Sequence, residues 1–116
     1  MVEASPYVEA WRSDVRSAGS FIGAPLSGPV EVAVKFVFRR PATHYVAGNR
    51  NRPLKSEAPT FHTGKPDLSK LIRAMEDALI GIAWRDDAQI AQYTRAVKVY
   101  GEREGMLLMF RHAGDA

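Results

Sequence analysis

The sequence contains no cysteine, which excludes disulfide bonds and zinc sites built on thiolates. It also has no apolar run that approaches the roughly 18 residues needed by a transmembrane helix. The first residues, MVEASPYVEAW, lack the basic segment and apolar core that mark a secretory signal. We therefore expect a protein without a membrane partner, and a reducing cytoplasm is permitted.

The length sets the number of domains. The chain has 116 residues, enough for one modest hydrophobic core but not for two, so residues 1–116 are predicted to form a single domain. Apolar residues make up 46% and charged residues 25%, which are ordinary values for a globular protein.

Acidic residues are almost absent between positions 39 and 65, where Glu57 is the only one. The same segment carries the cations Arg39, Arg40, Arg50, Arg52, Lys55 and Lys65. Seven of the 13 acidic residues lie from position 76 onward. A nuclease needs cations for phosphates and carboxylates for a metal, and this distribution supplies both. The alternative is an ordinary solvated basic loop.

Apolar periodicity predicts the secondary structure. A helix is expected over residues 6–18, and alternating apolar residues predict a strand over 30–38. Residues 42–65 have no period and form a long loop, a feature that is often functional. Residues 89–100 and 106–111 are predicted strands joined by a hairpin loop at 101–105.

The best-defined helix is predicted over residues 66–80 and ends at Gly81. Its apolar stripe consists of Leu68, Leu71, Ile72, Met75 and Leu79. At 100° per residue, four polar residues fall beside that stripe and should face a neighbouring surface: Ser69, Arg73, Glu76 and Asp77.

This element order predicts a small α/β (α+β) domain. We expect a mixed or antiparallel sheet of three to four strands, packed with two main helices.

Three acidic residues lie at element boundaries. Asp67 begins the predicted helix, and Asp86 and Asp87 precede a strand. Such positions can bring carboxylates together around Mg²⁺, which prefers oxygen ligands and keeps several waters. A nearby cation, Arg73 or Lys70, could neutralise charge on a phosphate.

Each of these residues has a structural alternative. Asp67 could be only a helix N-cap, and Asp86 and Asp87 could be turn formers. Arg73 and Asp77 could form an i,i+4 pair on a solvated helix face, and Trp84 could be only a core residue.

Two segments resemble a known family. They are residues 65–79, KPDLSKLIRAMEDAL, and residues 84–89, WRDDAQ. In order and spacing they are similar to the signature of the RusA family of Holliday-junction resolvases, in which D-x-D-N-L-x-K opens a helix ending in D-A-L and W-x-D-D-A-Q follows. Residues 9–12, EAWR, resemble the family's first helix. Residues 98–101, KVYG, resemble a strand end of many phage members.

The resemblance implies a RusA-like fold and a homodimeric endodeoxyribonuclease that resolves four-way junctions in recombination and repair. It implies a Mg²⁺-dependent site, with Mn²⁺ as an alternative ion. Asp67 and Asp87 match catalytic metal ligands, and Asp86 is a further candidate ligand. Arg73 stands where the family has a functional Lys. Phage or bacterial cytoplasm is the implied location. The residues expected to hold the DNA backbone are Arg39, Arg40, Arg50, Arg52, Lys55, Lys65 and Lys70.

The chain departs from the family pattern at three points. Ser69 replaces the second Asp of D-x-D-N, so the site loses a carboxylate, although Ser69 could still contact a metal-bound water. Glu76 or Asp77, farther along the helix, could compensate. Arg73 keeps the charge of the functional Lys but changes its geometry. The family's N-terminal strand is expected to be missing, which would leave a sheet edge to be covered.

Three hypotheses follow. The first is a metal-dependent, structure-selective endonuclease. The second is a non-catalytic branched-DNA-binding module on the same fold, in which Ser69 marks a decayed site. The third is a structural or interaction protein whose acidic residues are only caps and turn formers.

Overall fold

The structure is a computed structural model that describes residues 2–3 and 24–114. Its regular elements are strand β1 (Val2–Glu3), strand β2 (Val30–Arg39), helix α1 (Leu68–Leu79), strand β3 (Ile90–Gly101) and strand β4 (Gly105–His112). The predicted strands and the second predicted helix are therefore confirmed, with ends that shift by one or two residues. The predicted first helix, residues 6–18, lies outside the described residues. No strand was predicted at Val2–Glu3.

The four strands form one mixed sheet in the order β1-β4-β2-β3. β2 is central: it pairs in parallel with β3 from Val30↔Ile90 to Arg39↔Gly101 and antiparallel with β4 from Val30↔His112 to Val37↔Gly105. A parallel pair needs a long crossover, which the loop after β2 and α1 provide. This arrangement confirms the predicted small α/β (α+β) domain with a mixed sheet.

The prediction of a hairpin between β3 and β4 is wrong, because β2 lies between them. The short connection over residues 102–104 crosses the end of β2 instead of joining two strands that are adjacent in the sheet. Gly101 permits this crossing, because a Cβ there would lie 2.6 Å from Cγ1 of Val37. A glycine-bounded polar loop has the same local sequence pattern in both arrangements, so the pattern could not distinguish them.

The hydrophobic core lies between α1 and one face of the sheet. β2 contributes its alternating side chains, and α1 contributes the stripe predicted from its period. Fully or almost fully buried members are Val30, Val32, Val34, Phe36, Leu71, Met75, Leu79, Trp84, Met106 and Leu108. The Trp84 ring meets Phe110 edge-on at 5.8 Å between centroids. Trp84 is therefore a core residue that anchors the segment after α1.

The opposite face of the sheet holds a buried charge. Glu31 is only 7% exposed, and it accepts hydrogen bonds from Arg111 Nε and, at 2.8 Å, from Gln92 Nε2. These partners compensate the carboxylate for its lost hydration.

Short extended segments cover both edges of the sheet. β1 pairs antiparallel with β4. At the other edge, His62 N donates to Lys98 O at 3.0 Å and Tyr100 N donates to Thr60 O at 2.9 Å. The predicted long loop therefore ends by pairing with β3, which fixes its last residues beside the start of α1. Within residues 2–3 and 24–114, no helix has the length and apolar character needed to cross a membrane.

Candidate functional site

An open cleft of about 380 Å³ runs along one face of α1 and meets the turn before β3. Its lining residues are Ser69, Ile72, Arg73, Glu76, Asp77 and Asp87. The polar stripe predicted beside the apolar stripe of α1 therefore does face a neighbouring surface. The cleft brings together five of the residues singled out from the sequence, namely Ser69, Arg73, Glu76, Asp77 and Asp87.

Asp87 has an uncompensated carboxylate oxygen. The residue lies in a single 3-10 turn, Asp87–Gln89, and its Oδ1 atom is buried without a hydrogen-bond partner. Burying a polar oxygen without a partner is costly, and the cost is larger for an ionised group. A cation or a donor in the cleft would remove that cost.

Asp86 and Gln89 hold this turn in place. Asp86 Oδ1 accepts from Ala88 N at 2.9 Å, and Gln89 Oε1 accepts from the backbone N–H groups of Arg85 and Asp86 at 2.7 and 2.9 Å. This reciprocal pattern is a capping box. Asp86 thus has a capping role, which competes with its predicted role as a metal ligand.

The Gln89 side chain also ties the turn to the rest of the fold. Its Nε2 donates to the carbonyls of Leu26 and Gly28, both at 2.9 Å. No role was predicted for Gln89 from the sequence. The D-x-x-Q spacing of Asp86 and Gln89 is a capping-box pattern and would have revealed its intraturn contacts, but not the contacts with residues 26 and 28.

Glu76 is the other half-buried acid of the cleft, and its Oε2 accepts from the Tyr93 hydroxyl at 2.6 Å. Burial raises the pKa of Tyr93, and the nearby charges of Glu76 and then Asp87 raise it further. The phenol therefore remains a donor to Glu76. Tyr93 was not predicted to belong to the site. Its position within a predicted strand was the available signal in the sequence. In the structure, Tyr93 pairs with the buried Val32 of β2.

Arg73 lies in the same cleft with its charge available. Among the described residues, Arg73 forms no salt bridge with Asp77, so the i,i+4 pair considered from the sequence does not occupy it. The guanidinium is exposed and can meet a phosphate that enters the cleft.

Asp67 lies at the N-cap of α1, outside the residues that line the cleft. Its backbone carbonyl accepts from Lys70 N and Leu71 N, both at 3.1 Å. Its carboxylate makes no capping hydrogen bond and is exposed. The Asp67 side chain therefore does not cap α1, and its carboxylate faces solvent at the start of the helix.

Lys98 fixes the segment that leads into Asp67. Its Nζ donates to Gly64 O at 2.6 Å and to Pro66 O at 2.8 Å. Lys98 pairs in register with the buried Phe36 of β2. A cation within a predicted strand was the available signal for this role, although Lys98 entered the prediction only as part of a resemblance.

The predicted DNA-binding cations separate into two groups. Arg40 and Arg50 are tied into the loop: Arg40 Nη1 donates to Pro59 O at 2.7 Å, and Arg50 Nη1 donates to Arg40 O at 2.6 Å. The others are exposed, apart from the half-buried Lys55, and can reach phosphates: Arg39, Arg52, Lys55, Lys65 and Lys70.

Aromatic rings support the same loop. His62 stacks on Phe38 with ring centroids 3.8 Å apart, and it meets Tyr100 at 5.1 Å. Burial lowers the pKa of His62, and the positive charge of Lys98 lowers it further. His62 is therefore a neutral packing residue near pH 7, and its Nδ1 is buried without a hydrogen-bond partner.

The donor set of the cleft fits a weakly held divalent ion. Within the described part of the chain, no three His, Cys, Asp or Glu side chains lie close enough together to form a metal cage. Mg²⁺ does not require one, because one or two carboxylates with waters and substrate phosphates suffice. Asp87 with its unpartnered oxygen and the carboxylates of α1 meet that requirement.

Comparisons with known proteins match the sequence to a family. The model of a family described as endodeoxyribonuclease RusA matches residues 3–109. The chain is also similar to a Bacillus subtilis (strain 168) protein described as uncharacterized protein YqaN, with 29% identity over 87 residues. That alignment covers 74% of this chain and 59% of the relative, so the chain spans less than two thirds of the relative's length.

Proposed function

The chain belongs to the RusA endodeoxyribonuclease family, and we propose that it cuts branched DNA, with the four-way junction as its substrate, in a reaction that needs a divalent metal ion. Mg²⁺ is the proposed ion, and Mn²⁺ is the alternative. The observation that carries this proposal is the buried, unpartnered Oδ1 of Asp87 in a cleft that also contains Arg73.

Asp87 is the proposed anchor of the metal, and α1 supplies a second carboxylate. Asp67 has a carboxylate without a capping partner, and Glu76 and Asp77 line the cleft. When bound, a divalent ion would supply positive charge that activates water and stabilises the phosphate oxygens. In the reaction, water oxygen attacks phosphorus and the bond from phosphorus to the leaving sugar oxygen breaks. Arg73 neutralises the charge that develops on the phosphate.

The exposed cations hold the DNA backbone. Lys65 and Lys70 flank Asp67 at the start of α1, and Arg39 and Arg52 lie on the basic segment. Because phosphate contacts carry no direct sequence information, recognition depends on the shape of the junction. Binding should weaken steeply with salt and differ little between junction sequences.

The symmetry of the substrate supports a homodimer. A four-way junction presents two equivalent strands to be cut, and two copies of one chain related by a twofold axis match it. The same function assigns the protein to the cytoplasm of a bacterium or of a phage-infected host, where such junctions arise.

A second candidate is a junction-binding module without cleavage. Ser69 stands in place of a family carboxylate, and the described residues contain no three-ligand cluster. In that case the protein binds junctions but does not nick them, and Ser69→Asp restores cutting.

A labelled four-way junction and a matched linear duplex, with and without Mg²⁺, test the proposal. We expect symmetric nicks in the junction that require Mg²⁺ and are absent from the duplex. Tight junction binding without nicks in Mg²⁺ or Mn²⁺ supports the second candidate. Equal binding to both DNAs that does not respond to salt contradicts both.

A further inference from the structure

The loss of a carboxylate at Ser69 changes where a cation can be held, if the proposed metal-dependent function is correct. Glu76 lies seven residues after Ser69 on α1, almost two full turns, so both residues lie on the same helix face. The rise along the axis is about 10 Å. A cation bound through Glu76 would therefore lie farther along the cleft than one bound beside Ser69.

Glu76 and Asp87 are two like charges that line the same cleft. Both are half-buried; Glu76 accepts a hydrogen bond from the Tyr93 hydroxyl, and the charge of Asp87 contributes to the raised pKa of Tyr93. Within residues 2–3 and 24–114, neither forms a salt bridge with a Lys or an Arg. Two carboxylates that share a partly buried site repel each other unless a cation neutralises them.

The hydrogen bonds leave both groups able to accept a further partner. Tyr93 occupies only Oε2 of Glu76, and the buried Oδ1 of Asp87 has no partner. Tyr93 also fixes the Glu76 side chain, which lowers the entropic cost of binding an ion there. A carboxylate held by Tyr93 and a second one with an unpartnered oxygen suit a hard divalent cation that keeps its remaining waters.

We propose that Glu76 supplies the second carboxylate of the metal site, together with Asp87, in place of the carboxylate that Ser69 lacks. The site is thereby shifted along α1, away from Asp67. Tyr93 is a positioning residue that holds Glu76 and does not contact the ion.

Terbium luminescence tests this assignment without any DNA. Tb³⁺ binds hard oxygen ligands, and excitation of a nearby tyrosine sensitises its emission; Tyr93 lies beside the proposed site. We expect sensitised emission with the wild-type protein, and a loss of Tb³⁺ affinity of about tenfold or more in Glu76→Gln and in Asp87→Asn. Calorimetry with Mn²⁺ should show the same losses for a divalent ion.

Asp77→Asn is the matched control, because Asp77 lines the same cleft on the same helix. It and Asp67→Asn should change the Tb³⁺ affinity by less than about threefold. Glu76→Gln keeps an acceptor for the Tyr93 hydroxyl, and circular dichroism with a thermal melt establishes that it folds. Loss of affinity in Asp67→Asn or Asp77→Asn but not in Glu76→Gln overturns the assignment, as does absence of Tb³⁺ and Mn²⁺ binding to the wild type.

The outcome is separable from that of the junction assay. Junction cleavage by a protein whose Glu76→Gln variant binds metal normally refutes the role of Glu76 and leaves the nuclease function standing. Metal binding that depends on Glu76, in a protein that does not cut junctions, supports the site and refutes the nuclease function.

Discussion

Removal of the Gln89 side chain should destabilise the whole turn that carries Asp87. Gln89→Ala deletes four hydrogen bonds, two accepted from the backbone of Arg85 and Asp86 and two donated to Leu26 and Gly28. At about 0.5–1.5 kcal/mol per bond, and because three of the four partners are exposed to water, we expect a loss of about 2–3 kcal/mol in the free energy of unfolding.

Gln92→Ala is the control for this change. Gln92 also lies near the start of β3, but its side chain makes one hydrogen bond, to Glu31, which retains Arg111 as a partner. We expect a loss of no more than about 1 kcal/mol. Urea denaturation followed by tryptophan fluorescence measures both values. Equal destabilisation by the two substitutions would refute the reasoning that Gln89 links the turn to residues 26 and 28.

Three further predictions concern packing, pH and the loop before α1. Gly101→Ala places a Cβ against Val37 and should cost about 1–3 kcal/mol in a thermal melt, with partial recovery in the double variant Gly101→Ala/Val37→Ala. Burial lowers the pKa of His62 below 6.5, so its contribution to stability is present above pH 6.5 and is lost as pH falls through the folded pKa. His62→Phe should therefore lose less stability on acidification than the wild type, as measured by urea midpoints between about pH 7.5 and 5; an unchanged acid loss contradicts this role. Lys98→Met removes the two hydrogen bonds that Nζ donates to the carbonyls of Gly64 and Pro66; it should lower stability by about 1–3 kcal/mol and speed hydrogen exchange in that segment, and unchanged exchange contradicts the contact.

The sequence predicted the elements of the fold because their apolar periods are strong. The alternation from Val30 to Phe38 and the stripe on α1 specify local structure directly. The strand order was not predictable in the same way. β3 and β4 both pair with β2, and the loop between them has the sequence pattern of a hairpin. The crossing at Gly101 depends on a contact with Val37, which lies 64 positions earlier in the chain.

The candidate site was also predictable only in part, because several of its contacts join residues that are far apart in the sequence. The positions of Ser69, Arg73 and Glu76 on one face follow from the helix period. The contacts that complete the site are long-range: Tyr93 reaches Glu76 from β3, and Gln89 reaches residues 26 and 28. Neither the unpartnered oxygen of Asp87 nor the free carboxylate of Asp67 could be inferred without the folded chain.

Two neighbouring substitutions provide the most direct test of the central claim that Asp87 anchors a metal-dependent nuclease site. A labelled four-way junction is incubated in Mg²⁺ with the wild type, Asp87→Asn or Asp86→Asn. We predict that Asp87→Asn lowers cleavage by about two orders of magnitude or more. Asp86→Asn should stay within about threefold of the wild type, because Asn caps a helix as well as Asp does. Cleavage by Asp87→Asn at the wild-type rate would contradict the account.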